Sequence, residues 1–225
     1  NAPAKKDAVL VGHSMGGVIA RLMVSQADIT QDAFKLVQNT RIAQFKDNPL
    51  FKARLQMQPI PNFTRAIFLA TPHRGTEYAD RWHTKLARKI IRIPGAFLGA
   101  FADTLQGEIG LKDFVKELGH DLIQNGPSDL SENSKFTALT KDIQPSKNIK
   151  FHSIIGNTVD TQDTKLMSDD IVSYESAYLE GAVSSKVIKG GHSIQETPEA
   201  VLELRRILRL HLTELGLYQP QKVLK

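Results

Sequence analysis

An α/β layered fold on a mostly parallel sheet is predicted by three features of the sequence. Short apolar, β-branched runs end abruptly at glycine or at a change of composition; segments of helical periodicity separate them; and glycine sits where one gives way to the other. The first run is Ala8-Val9-Leu10-Val11, which reads as a buried strand. A helix is predicted to follow from Met15 to Ala27, with Val18, Leu22 and Met23 at helical spacing and Gly16 and Gly17 at its start. A second helical pattern runs through Phe34, Val37, Ile42 and Phe45, and Pro49, Pro59 and Pro61 then break the chain. Ala66-Ile67-Phe68-Leu69-Ala70 is the second strand. Phe151 to Ile155, closed by Gly156, is the third, and Ser185 to Ile188, closed by Gly190 and Gly191, the fourth. The last helix has Thr197 as N-cap, Pro198 at its first position, an apolar stripe of Val201, Leu204, Leu208, Leu212 and Leu215, and Gly216 as its stop. Residues 77 to about 140 interrupt this alternation. They are helical in pattern but broken by Pro94, Gly107, Gly110, Gly119 and Pro127, and are expected to form a helical cap inserted in a single domain spanning 1–225.

Composition sets the outer bounds. The 225 residues are 41% hydrophobic and 24% charged, an ordinary globular balance, and a chain of this length buries roughly 70% of its unfolded surface. The longest apolar stretch, Ile90 to Phe101, is short and contains Arg92, Pro94 and Gly95, so no segment reaches the ~20 apolar residues of a spanning helix. Asn1 to Asp7 carry no secretory signal pattern. Without cysteine there is no thiolate zinc site, disulfide or cysteine nucleophile. The net charge of +5 is not organised into a nucleic-acid-binding signature, so no nucleic-acid partner is expected.

Gly12-His13-Ser14-Met15-Gly16 is a G-x-S-x-G sequence. Its glycines suit a serine held on a strained strand-to-helix turn with no room for side chains on either side, and here a predicted strand precedes it and a predicted helix follows. Ser14 is therefore the candidate nucleophile. A serine hydroxyl needs an imidazole to take its proton, and the imidazole needs an acid to orient it. Of seven histidines, His192 in Lys189-Gly190-Gly191-His192-Ser193 lies on a loop at the carboxyl end of a parallel strand, where sites in such folds gather. His13 is expected to pack beneath the turn, and His73 lies in the loop after the second strand. His83, His120, His152 and His211 read as surface or core residues. For the acid, Ser168-Asp169-Asp170-Ile171-Val172 gives the chain order Ser, Asp, His; spacing leaves Asp169 and Asp170 both open, while Asp160 and Asp163 sit in a Thr- and Gln-rich loop that reads as solvated. These aspartates lack EF-hand spacing, and no metal or other cofactor is expected.

Together, Gly12-His13-Ser14-Met15-Gly16-Gly17, Ala70-Thr71-Pro72-His73-Arg74-Gly75-Thr76, Ser168-Asp169-Asp170-Ile171-Val172 and Gly191-His192-Ser193 resemble the α/β-hydrolase superfamily, more narrowly its bacterial lipase-like and PGAP-type serine esterases. The resemblance spans nearly the whole chain. It implies that Asp169 is the acid, because the relatives read S-D-G-[IV]-V there; this chain has Asp170 in place of the glycine. It implies that His73 and Arg74 shape a loop bordering the cleft. It also implies a sheet of about eight strands with the nucleophile after the fifth, so the amino-terminal strands are expected to be missing and the chain to be a carboxy-terminal portion, partnered by the missing amino-terminal segment of the same protein. The Met15 N–H is then the oxyanion donor supplied by this chain.

The expected function is a serine ester hydrolase, lipase- or esterase-like, acting through an acyl-enzyme on a small-molecule or lipid ester. The alternatives are an acyltransferase, thioesterase or amidase with the same three residues, or a non-catalytic interaction protein of the same fold. Within 81–93, Arg81, Lys85, Arg88 and Arg92 share one helical face and Trp82, Leu86, Ile90 and Ile93 the adjoining one. That helix reads either as a cap burying Trp82 or as a lid making peripheral contact with an anionic lipid surface. The resemblance leans toward the bacterial cell envelope as the location.

Overall fold

A computed structural model describes residues 6–36, 47, 49–79 and 130–219. Most of the expected cap, including the whole 81–93 helix, lies outside the described residues, as do Val37, Ile42 and Phe45 of the second helical pattern. The elements in chain order are β1 (Ala8–His13), α1 (Met15–Met23), β2 (Ala27–Asp28), α2 (Thr30–Leu36), α3 (Pro49–Leu55), β3 (Gln56–Met57), β4 (Phe63–Leu69), α4 (Lys135–Thr140), β5 (Lys150–Asn157), α5 (Tyr174–Ala177), β6 (Ser184–Lys189), a 3₁₀ turn (Ile194–Glu196) and α6 (Pro198–Glu214).

The central sheet has the order β1-β4-β5-β6, parallel at every pairing, and β2 and β3 form a separate antiparallel pair. Within β4, Ala66, Ile67, Phe68 and Leu69 are all buried, because both sheet faces are covered. Ile67 and Leu69 pack with Ile154, Ile188, Ala200 and Ile207 on the α6 side. Ala66 and Phe68 pack with Ala20, Val24, Phe151 and Leu179 on the α1 side. The chain thus folds as an α/β layered domain with its core on both sides of β4 and β5.

Three expectations need correction. Pro49 opens α3 instead of breaking the chain; a first-turn proline loses no helical hydrogen bond. α1 ends at Met23, where Ser25 Oγ turns back onto the Arg21 carbonyl (2.7 Å) and Ala27 and Asp28 leave to pair with β3. In α6 the cap is as expected, with Thr197 Oγ1 accepting from Ala200 N, and Gly216 stops the helix at φ 70° while Leu217 N bonds back to Leu212 O. The buried face, however, is Ala200, Glu203, Ile207 and His211, whereas Val201, Leu208 and Leu212 are exposed. Glu203 and His211 are accommodated on that face because each is hydrogen-bonded to an arginine, Glu203 to the half-exposed Arg206 and His211 to the buried Arg65. Arg206 bonds Glu203 with two nitrogens, and Arg65 Nε donates to His211 Nδ1.

Two buried cations tie the layers together. Arg65, at the start of β4, donates to His211, His152 and Glu214. Arg21 on α1 donates to the carbonyls of Ile143 (2.7 Å), Lys141 and His73, and burial, followed by repulsion from Arg74, pushes its pKa down to about 10 against the pull of Asp142. Among the described residues no helix is long and apolar enough to cross a membrane.

Candidate active site

β1 delivers the chain to the carboxyl edge of the sheet and α1 starts at once, so Ser14 must turn the chain alone. It does so at φ 54°, ψ −129°, a conformation rare for a residue with a side chain, with its N–H held by Leu69 O and its carbonyl accepting from Gly17 N (2.9 Å each). The flanking glycines differ in what they permit. A Cβ on Gly12 would lie 2.5 Å from the Gly16 carbonyl oxygen, and one on Gly17 would collide with the Thr71 side chain. Gly16 meets nothing within 4 Å, so the expected crowding on both sides holds for Gly12 and Gly17 but not for Gly16.

Beyond β6 the chain passes Gly190 and Gly191 and presents His192. Its Nε2 lies 2.7 Å from Ser14 Oγ, and its Nδ1 lies 2.9 Å from Asp169 Oδ2. Asp169 is 1% exposed, and its other oxygen accepts from the N–H groups of Ile171 (2.9 Å) and Val172 (2.6 Å), which leaves Oδ2 directed at the imidazole. A Cβ on Gly156 would stand 2.8 Å from that of Asp169, so this glycine makes room for the acid's turn. It lies within β5 and does not close it, contrary to the sequence expectation.

The neighbouring Asp170 is exposed, at φ 74°, and accepts from Thr158 Oγ1 (2.6 Å). Its left-handed backbone is one that glycine adopts most readily; Asp, like Asn, tolerates that region better than most residues. Asp160 and Asp163 are surface residues, and Asp163 Oδ1 only caps its own turn at Lys165 N. Met15 begins α1, so its N–H belongs to the unpaired first turn of that helix.

His73 is 1% exposed and set edge-on against Phe68 (5.0 Å), and burial, then Arg21 and Arg74, holds its pKa well below the ordinary imidazole range. Arg74 Nη1 donates to the carbonyls of Glu175 (2.8 Å) and Tyr178 (2.7 Å), and Ser176 Oγ donates to Gly75 O (2.6 Å). These contacts brace the loop after β4 against the α5 segment. His152 and His211 belong to the Arg65 cluster, and His83 and His120 lie outside the described residues. His13 does not merely pack beneath the turn: its Nε2 reaches the His192 carbonyl oxygen at 2.8 Å, a contact that no sequence pattern announced. Among the described residues no three His, Asp or Glu side chains converge as a metal site requires.

A parallel sheet covered by helices on both faces, with an elbow serine after one strand and an aspartate and a histidine following later strands in the order Ser, Asp, His, decides the architecture. The chain has the α/β-hydrolase fold. The family model described as a PGAP1-like alpha/beta domain matches residues 1–41 of this chain. No curated protein matches its sequence. Among solved structures, it is similar to the Staphylococcus hyicus lipase (17% identity, TM-score 0.45), covering 95% of this chain and 71% of that one. EstA from Clostridium botulinum matches at 14% identity and TM-score 0.44, covering 87% of this chain and 61% of that one. Lipase 1 from Pelosinus fermentans matches at 16% and 0.42, covering 82% and 65%. The chain thus spans about three fifths to seven tenths of the length of these three structures.

Proposed function

We propose that this chain is a serine carboxylic-ester hydrolase in which Ser14, His192 and Asp169 act together. The observation that carries the reading is the continuous relay from Asp169 Oδ2 through the His192 ring to Ser14 Oγ, with both links at hydrogen-bond length. Ser14 Oγ attacks the acyl carbon as its proton passes to His192 Nε2. Asp169, held by two main-chain N–H groups, keeps the Nδ1 proton in place and balances the imidazolium. The negative oxygen of the tetrahedral intermediate lies against the Met15 N–H at the positive end of α1. Collapse expels the alcohol, which takes the proton back from Nε2 and leaves an acyl-serine. Water, deprotonated by the same nitrogen, then releases the acid and restores the hydroxyl.

A fluorophosphonate tests nucleophile activation without assuming a substrate. Labelling is expected in the wild-type protein and absent in Ser14→Ala, and equal labelling of the two would overturn the assignment. Release of free acid from an ester in water, without acyl transfer to an added alcohol or amine, separates hydrolysis from transferase chemistry.

A further inference from the structure

We propose that His13 is a positioning residue for the base: by donating its Nε2–H to the main-chain carbonyl of His192, it fixes the imidazole relative to the nucleophile. The inference rests on the reading of Ser14, His192 and Asp169 as the reacting set, and adds a residue that acts through His192 without touching substrate.

The contact is 2.8 Å, and because a carbonyl only accepts, Nε2 carries the proton. His13 remains neutral in that role. Burial holds its pKa below the ordinary range and outweighs the hydrogen bond to the His192 carbonyl, which raises it; the charges facing it are His192, which opposes protonation, and Asp169 and Glu196, which favour it. A neutral His13 adds no positive charge beside the imidazolium formed in each turnover, whose ring centroid is only 5.1 Å away.

The bond matters because of where the base sits in the chain. His192 follows two glycines, and a Cβ on either would meet only ordinary contacts at 3.5 Å or beyond, so packing at those positions does not dictate the path of the loop. The nearest main-chain anchor before it is Gly190 N to Asn157 O (3.0 Å), and the nearest buried side chain after it is Ile194. His13 supplies a tie between these two, and it comes from the residue peptide-bonded to Ser14. The nucleophile, His13, the His192 carbonyl and the His192 ring therefore close a small cycle of one peptide bond and two hydrogen bonds. Lengthening one side opens the other, and a displacement of about 1 Å at a reacting pair can cost on the order of 100-fold in rate.

The test compares wild type, Ser14→Ala, His13→Phe and His13→Gln by fluorophosphonate labelling rate, by kcat and KM on p-nitrophenyl butyrate, and by thermal midpoint. Phe keeps the ring without the donor; Gln gives up the ring but places an amide N–H near the same point. Expected are a kcat and labelling rate lowered about 10- to 100-fold in His13→Phe with KM within about 2-fold, and recovery to within about 3-fold of wild type in His13→Gln. Should His13→Phe not fold, His13→Asn, whose amide is too short to reach the carbonyl, takes its place and is expected to be equally slow. Wild-type rates without the donor, or Gln no better than Phe or Asn, would overturn the positioning role and leave the Ser14 reading intact. Absence of Ser14-dependent labelling in the wild type would overturn both.

Discussion

Asp169 and Asp170 are adjacent and chemically identical, yet the turn gives them opposite environments. Asp169 is buried with two main-chain donors on one oxygen and the imidazole on the other; Asp170 points to solvent and Thr158. Asp169→Asn retains the shape but presents the wrong tautomeric demand to His192, and is expected to slow ester hydrolysis by roughly 10³- to 10⁴-fold. Asp170→Gly relieves a left-handed backbone and loses one surface hydrogen bond, and is expected to stay within about 3-fold of wild type. Steady-state kinetics on the two variants checks the pair, and a larger loss at Asp170 would reverse the assignment. Spacing along the chain could not make this choice, because what separates the two carboxylates is a φ angle. Ser14 was legible, since its conformation demands small neighbours that leave a mark in composition. His13 was not, because a side chain bonded to a main-chain carbonyl 179 residues away leaves no local pattern.

At the scale of elements, the elbow between β1 and α1 shows how unequal the motif's glycines are. Gly17→Ala drives a methyl group into Thr71 and is expected to destabilise by about 3 kcal/mol. Gly16→Ala enters open space in the first turn of α1 and is expected to be neutral or to stabilise by up to about 1 kcal/mol. Urea unfolding of both variants measures the difference, and equal effects would contradict the packing described. β4 and β5 were legible as apolar runs because both of their faces are buried, whereas β1, read from the sequence as a buried strand, and β6 lie at the two ends of the strand order, are only partly buried and leave Val11 and Val187 exposed. The face of α6 was not: the apolar stripe marks one side of that helix, but the sheet takes up Glu203 and His211, whose burial depends on Arg206 one turn further along the same helix and on Arg65 from β4. Gly156 reads in the sequence as a terminator for a similar reason, since the side chain it makes room for comes from a later turn.

On the scale of the whole molecule, the amino ends of the strands are joined by a polar cluster rather than by apolar packing. Arg65 donates to His152 Nε2, so the neutral ring carries its proton on Nδ1, against Ser184 Oγ (2.7 Å). Burial, then Arg65 and Arg206, push the His152 pKa down to about 4, opposed by Glu203 and Glu214. An unfolded chain binds that proton near the ordinary histidine value of ~6.5, so the stabilisation is complete above that value and is lost as pH falls toward 4. His73 acts in the same direction over the same interval, whereas Glu203 and Glu214, whose pKa values are lowered chiefly by hydrogen bonds from Arg206 and Lys150, lose their contribution only at lower pH, below the ordinary carboxylate value of ~4.3. Unfolding free energy is therefore expected to fall between pH 7.5 and 5, with His152 contributing about 2 kcal/mol of the drop. His152→Gln should flatten the profile over that interval, and an unchanged slope would remove His152 as its source.

The sheet order also bears on when the site comes into being. Ser14 and His192 are 178 residues apart, and their strands β1 and β6 do not touch; β4 and β5 lie between them. Contacts between such distant stretches form late, after the intervening loops have been closed. Until those inner strands have docked, Ser14 is an ordinary alcohol with no proton acceptor at hand. On the proposed reading of Ser14 as nucleophile, a half-made or misassembled chain is chemically silent, and reactivity is confined to the finished molecule.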